Sequence, residues 1–137
     1  MNLSIDEYCC FVDIPQIVDE RGCLSFIEFE KAAGFLVKRC YWIYNIPKGA
    51  TRGGHAHKNL SQLLVALRGS LDIEIDNGKE KRILTLDDPR RGLVIKGVIW
   101  RDIRNFKDEP IMVAFVSDNY EESDYIRNYE DFLRYVS

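Results

Sequence analysis

Histidine is the scarcest reactive residue in this chain: only His55 and His57 occur. The four cysteines, Cys9, Cys10, Cys23 and Cys40, form no CxxC pair. That spacing, in a reducing compartment, favours small buried thiols over a zinc site or a disulfide framework. No apolar run approaches the ~20 residues that span a bilayer. The opening MNLSIDEYCC is acidic and polar, unlike a secretory leader. A cytoplasmic protein with no membrane partner is expected. Strong positive charge is also missing, since the net charge is -3. This argues against a nucleic-acid partner.

The 137 residues are 46% hydrophobic and 30% charged, a balance that fits one globular domain spanning 1–137. Repeats, low-complexity tracts and linkers are absent. Short β-type runs punctuated by turns point to an all-β sandwich or barrel. Cys23–Phe29 follows an Asp19-Glu20-Arg21-Gly22 turn. Val37–Ile46 is rich in aromatic and β-branched residues and stops at Pro47-Lys48-Gly49. Gln62–Leu67 and Ser70–Ile75 flank Arg68-Gly69, and Asp76-Asn77-Gly78-Lys79 is a hairpin signal. Lys81–Leu86, Gly92–Ile95 and Ile111–Ser117 complete the expected strands. From Ser123 onward, Tyr125, Ile126, Tyr129, Phe132, Leu133 and Val136 recur at helical spacing, predicting a C-terminal helix.

Charge is distributed unevenly. Arg21, Lys38, Arg39, Lys48, Arg52 and Lys58 lie in the first half, whereas Asp118 to Asp131 is rich in acid. A local basic patch on an acidic protein suits a small anionic ligand. Within that patch lies Gly49–Gly69, GATRGGHAHKNLSQLLVALRG. At i and i+2 of an extended strand, His55 and His57 project from one face. Both histidines on one face, beside Arg52 and Lys58, suggest chemistry more than packing.

The order Gly49, His55, His57, Gln62, Gly69 resembles the first motif of the cupin superfamily, in which glutamate follows HxH. Gly92–Arg101, GLVIKGVIWR, resembles the second motif, with Arg101 at the position of its histidine. A metal cupin uses three histidines and a carboxylate. Here an amide and a cation stand in for two of those ligands, and a guanidinium cannot bind a metal ion. No metal is therefore expected. Two imidazoles with an ordinary pKa of about 6.5 can instead move protons near neutral pH.

RGGHAHKNLSQLLVALRGSLDI, SDNYEESDYIRNYEDF, DERGCLSFIE and VKRCYWIY are similar to the dTDP-4-keto-6-deoxyglucose 3,4-ketoisomerases of the FdtA/QdtA, WxcM-like type. The likeness covers almost the whole chain. It implies a cupin, double-stranded β-helix jelly-roll with a short C-terminal helix. It also implies a cofactor-free homodimer that isomerises a dTDP-linked keto-sugar for deoxyamino-sugar and surface polysaccharide (O-antigen, lipopolysaccharide) biosynthesis. By resemblance His55 is the base at carbon, His57 its partner in proton relay, and Tyr41 a hydroxyl that orients the sugar or shuttles a proton. Arg21 and Arg52 are the first candidates for the diphosphate, because guanidinium matches phosphate oxygens. Lys58 ranks lower, since it points away from the histidine face. Gln62 is a candidate for the sugar, and Trp100 for a ligand flank or a core position. Arg101 stands where relatives carry histidine, as a candidate for enolate or phosphate charge.

Two other classes of function remain open on the residues. One is a 3,5-epimerase acting on the same kind of nucleotide-sugar; the other is a sugar-binding cupin without turnover. A metal-dependent sugar isomerase is a third reading, and it predicts loss of activity with chelator.

Overall fold

The Asp76-Asn77-Gly78-Lys79 signal organises the centre of the chain. Asp76 and Asn77 carboxylate and amide oxygens accept the backbone N–H groups of Gly78, Lys79 and Glu80. Gly78 supplies a φ of 93° that other residues resist. The computed structural model describes residues 4–137; residues 1–3, which open the polar N-terminus, lie outside them. The turn joins β6 (Gln62–Asp76) to β7 (Lys81–Leu86).

Around this hairpin lie α1 (Ile5–Tyr8), β1 (Cys9–Asp13), β2 (Gln16–Asp19), β3 (Gly22–Ser25), α2 (Phe29–Ala32), β4 (Arg39–Ile43) and β5 (Arg52–His57). After β7 come β8 (Arg91–Ile95), β9 (Trp100–Val116), β10 (Tyr125–Ile126) and α3 (Tyr129–Val136). The main sheet runs β1-β8-β6-β9-β5-β10, with β4 added on β9 and β7 on β6. β2 and β3 form a separate two-stranded arm.

β6 and β9 are long enough to serve two faces. The first part of β6 pairs with β8 and with the end of β9, to which β4 is joined. Its second part pairs with β7 and with the start of β9, to which β5 and β10 are joined. Register shifts between Ala66 and Asp72 mark the bend between the two parts. Gly69 makes the bend with φ 69°, and a Cβ there would meet the Lys107 carbonyl at 2.3 Å. The sheet thus curls into the expected jelly-roll. Leu64, Leu71, Ile73, Ile75, Leu93, Ile95 and Ala114, all at most 1% exposed, fill the space it encloses.

Several boundaries differ from the sequence expectation. Gln62–Leu67 and Ser70–Ile75 are one strand, because Gly69 bends the chain without ending its pairing. The strand expected over Val37–Ile46 is confined to Arg39–Ile43, since Asn45 turns left-handed at φ 53°. The run from Cys23 stops at Ser25, and Phe29 opens a single helical turn whose ring meets Phe115 at 4.8 Å. β9 begins at Trp100, well before Ile111, because its charged residues alternate with buried Arg101 and Ile103. The C-terminal helix starts at Tyr129: Tyr125 and Ile126 pair with His57 and Ala56 of β5, and Asn128 caps the helix by accepting from Asp131 N–H. Phe132 of α3 is fully buried beside Trp100, Ala56 and Ile126. Among the cysteines only Cys9 is buried; Cys10, Cys23 and Cys40 are exposed, and all four are free thiols. Strand alternation turns Cys10 and Cys40 outward, and Cys23 lies on the arm. Among the described residues no helix is long and apolar enough to cross a membrane.

Candidate active site

Antiparallel pairing brings the site together. His55 of β5 lies opposite Arg101 of β9, and His57 lies opposite Tyr125 of β10. Directly opposed residues share a face, so these side chains enter the barrel from one wall. Tyr41 on β4 and Gln62 at the start of β6 enter from the other. Together they border a cavity of about 460 Å³, the size of a small-molecule site. Arg39, Arg52, Arg101 and Arg127 line it, and no acidic side chain does among the described residues.

The two imidazoles stand edge to face, with ring centroids 4.8 Å apart, and Tyr125 packs on both. His55 lines the cavity; His57 is 1% exposed and lies behind it. Asp124 reaches His57 Nδ1 at 3.0 Å with one carboxylate oxygen, and its other oxygen accepts Asn59 N–H at 2.7 Å. The neutral imidazole therefore carries its proton on Nδ1, leaving Nε2 bare. His57 Nε2 and His55 Nδ1 are buried and have no hydrogen-bond partner. Burial, reinforced by the Arg101 charge, lowers His55 to about 4 and His57 to about 2. This differs from the ordinary value expected from sequence. Both rings are neutral at physiological pH, and each keeps one ring nitrogen without a hydrogen-bond partner.

Arg101 is 2% exposed, so it does not face solvent. Its guanidinium donates to the Ile99 carbonyl through Nε and Nη2 and to Gln62 Oε1 through Nη1 at 2.5 Å. Burial lowers its pKa to about 10, which still leaves it charged at neutral pH. Gln62 Nε2 donates in turn to the Tyr41 oxygen at 3.1 Å. Burial raises the Tyr41 pKa, so the phenol keeps its proton.

His55, Tyr41, Arg52, Gln62 and Arg101 thus border one cavity, with His57 directly behind. Arg21 is placed elsewhere: it sits at the tip of the β2–β3 arm, 84% exposed, and pairs with Asp19. Lys58 holds its ammonium 5.8 Å from the Tyr135 ring centre, away from the cavity. Trp100 packs on Tyr129 and Phe132 and donates to Asp102, which makes it a core residue.

Four contributors carried no assigned role in the sequence reading. Asp124 and Arg127 lie in the SDNYEESDYIR segment, whose acidity hid its arginine. Arg127 stacks on Tyr125 at 4.2 Å and forms a two-pronged pair with exposed Glu122. Arg39 sits between the Tyr41 and Tyr120 rings, 5.7 Å from each, with an unpaired buried Nε. The other contributor is Tyr120 itself. The signal for the arginines was the basic patch and the motif ending; only pairing across the sheet shows that they converge.

A curled β-sheet whose HxH strand opens into a basic pocket, in a chain whose relatives are keto-sugar isomerases, makes this a cupin-type isomerase. The chain belongs to the FdtA, WxcM-like C-terminal family, whose description matches residues 7–137. It is 38% identical over 126 residues to the TDP-4-oxo-6-deoxy-alpha-D-glucose-3,4-oxoisomerase of Aneurinibacillus thermoaerophilus, covering 92% of this chain and 91% of that one. Its fold matches a mutant of the 3,4-ketoisomerase QdtA from Thermoanaerobacterium thermosaccharolyticum in complex with TDP-4-keto-6-deoxyglucose. The TM-score is 0.91 at 34% identity, covering 94% of each chain. The WlaRB TDP-quinovose 3,4-ketoisomerase of Campylobacter jejuni matches with TM-score 0.88 at 39% identity, over 92% of this chain and 97% of that one.

Proposed function

We propose that this isomerase converts dTDP-4-keto-6-deoxyglucose into a dTDP-3-keto-6-deoxyhexose by proton transfer through His55 and His57. The observation that carries the reading is a pair of neutral imidazoles, each with one buried ring nitrogen free of hydrogen bonds, His55 bordering a cavity lined by four arginines and His57 directly behind it. A base and a cationic cradle for a diphosphate are what the reaction requires. His55 takes the proton from C3, and the electrons move into an enolate whose charge rests on O4. A proton then passes from O3 to O4, C4 is protonated, and the carbonyl stands at C3. His57, oriented by Asp124, relays the proton; Tyr41 faces the sugar oxygens.

Arg52, with Arg39 and Arg127, supplies the diphosphate contacts, since these arginines line the cavity. No metal or other cofactor takes part in the proposed reaction. The donor set supports this: the Gln62 oxygen is already committed to a guanidinium, which repels a cation. The chain acts as a homodimer in the cytoplasm, in a pathway making deoxyamino sugars for surface polysaccharide. Dimerisation is supported by exposed Ile17, Val18 and Leu24 on the arm, and by a groove lined by Trp42, Tyr44 and Leu67. In a dimer the arm has a surface to meet, and Arg21 at its tip has a route to a diphosphate.

The test is product analysis by NMR after incubation with dTDP-4-keto-6-deoxyglucose, with a 3-aminotransferase present to trap the unstable 3-keto sugar. A 3-amino product is the expected result. Deuterium at C5 from heavy water, with the carbonyl still at C4, would instead mark an epimerase.

A further inference from the structure

Gln62 sits between a group that can only donate hydrogen bonds and one that can donate or accept. Arg101 offers N–H groups alone. Its Nη1 lies 2.5 Å from the Gln62 side chain, so the carbonyl end of that amide must face it. The guanidinium cannot turn away, because Nε and Nη2 are held on the Ile99 carbonyl. With Oε1 fixed, Nε2 is the end that meets Tyr41, 3.1 Å from the phenol oxygen. The amide is 2% exposed, so no bulk water competes for either end. A phenol whose oxygen accepts a hydrogen bond from this side has its single O–H left for the other side. Tyr41 borders the cavity there.

We propose that Arg101 and Gln62 form a one-way relay that keeps the Tyr41 hydroxyl proton pointed into the cavity. The inference rests on the functional reading given above, in which Tyr41 serves the sugar oxygens. It goes further by assigning the polarity of that hydroxyl to two positioning residues. A donor aimed at the sugar oxygen where enolate charge develops stabilises that charge without reorganising. Glutamate at position 62, the residue that metal cupins carry there, would reverse the relay. An ionised carboxylate accepts from both neighbours, so Tyr41 would donate to it and turn its proton out of the cavity. Amide and carboxylate have nearly the same shape, and the change leaves Arg101 paired with an anion.

The test is a double-mutant cycle on the full-length protein. Gln62→Glu is expected to lower kcat about 10²-fold, matching Tyr41→Phe, with dTDP affinity and melting temperature close to the parent. The double variant should be no more than about threefold slower than the slower single variant, because both remove the same donated proton. Arg101→Lys, which keeps a donor-only cation, should retain more activity than Arg101→Met. The relay is refuted if Gln62→Glu turns over within about threefold of the parent, or if its effect multiplies with that of Tyr41→Phe. A readout without turnover separates this inference from the functional reading. The tyrosine Fermi doublet in the Raman difference spectrum between parent and Tyr41→Phe should report an acceptor phenol, and in the Gln62→Glu background a strong donor. An unchanged doublet would refute the relay whether or not the keto-sugar is isomerised.

Discussion

His55 and His57 are two copies of one side chain with different neighbours, and the roles proposed for them follow that difference. His55 borders the cavity, whereas His57 is held from behind by Asp124 at 3.0 Å. Because burial and Arg101 lower both imidazoles, the base form persists far into acid. The profile of kcat/KM against pH should therefore stay flat through 6.5 and fall only near 4, where His55 protonates. A limb at 6.5 would show a solvated imidazole. Asp124→Asn removes the acceptor that fixes the His57 tautomer. It should lower kcat about 10²-fold while leaving dTDP affinity within a few-fold, as steady-state kinetics and calorimetry would show.

β5 and β9 carry the site because they are paired, and what was legible in the sequence follows from that fact. The histidine strand and its shared face could be read locally, since period two needs only i and i+2. Lys81–Leu86 was legible because an Asn-Gly turn precedes it. Asp124 could not be assigned, because its contact with His57 spans 67 positions and depends on two residues of β10 joining β5. The same pairing kept Tyr125 and Ile126 out of the helix that their spacing suggested. Arg21 was a candidate for the diphosphate on its guanidinium chemistry; within one chain it is at the tip of an arm. The bend in β6 is sensitive to substitution. Gly69→Ala places a methyl against the Lys107 carbonyl with a left-handed backbone. It should cost about 2 kcal/mol or more, lowering the melting temperature by roughly 8 °C.

The whole molecule gathers positive charge and neutral imidazole around one cavity, and both should appear in its bulk behaviour. Affinity for dTDP should weaken as salt rises, since the proposed diphosphate contacts are the cavity arginines, Arg52 among them exposed. Stability should respond to acid in a defined window. Unfolded histidines bind protons below about 6.5, while the folded ones resist until about 4 and below. The unfolded state thus binds more protons between these values, and stability is lost as pH falls through them, by roughly 1 kcal/mol per pH unit for each histidine. Thermal melts from pH 7 to 4 would show the loss, and His57→Asn should reduce it. The proposed mechanism depends most on His55 acting directly on carbon. The measurement is exchange of the C3 proton of dTDP-4-keto-6-deoxyglucose with heavy water, followed by NMR for the parent and for His55→Asn. The parent should exchange it, and His55→Asn should be at least 10³-fold slower with dTDP still bound; exchange by His55→Asn at the parental rate would contradict the mechanism.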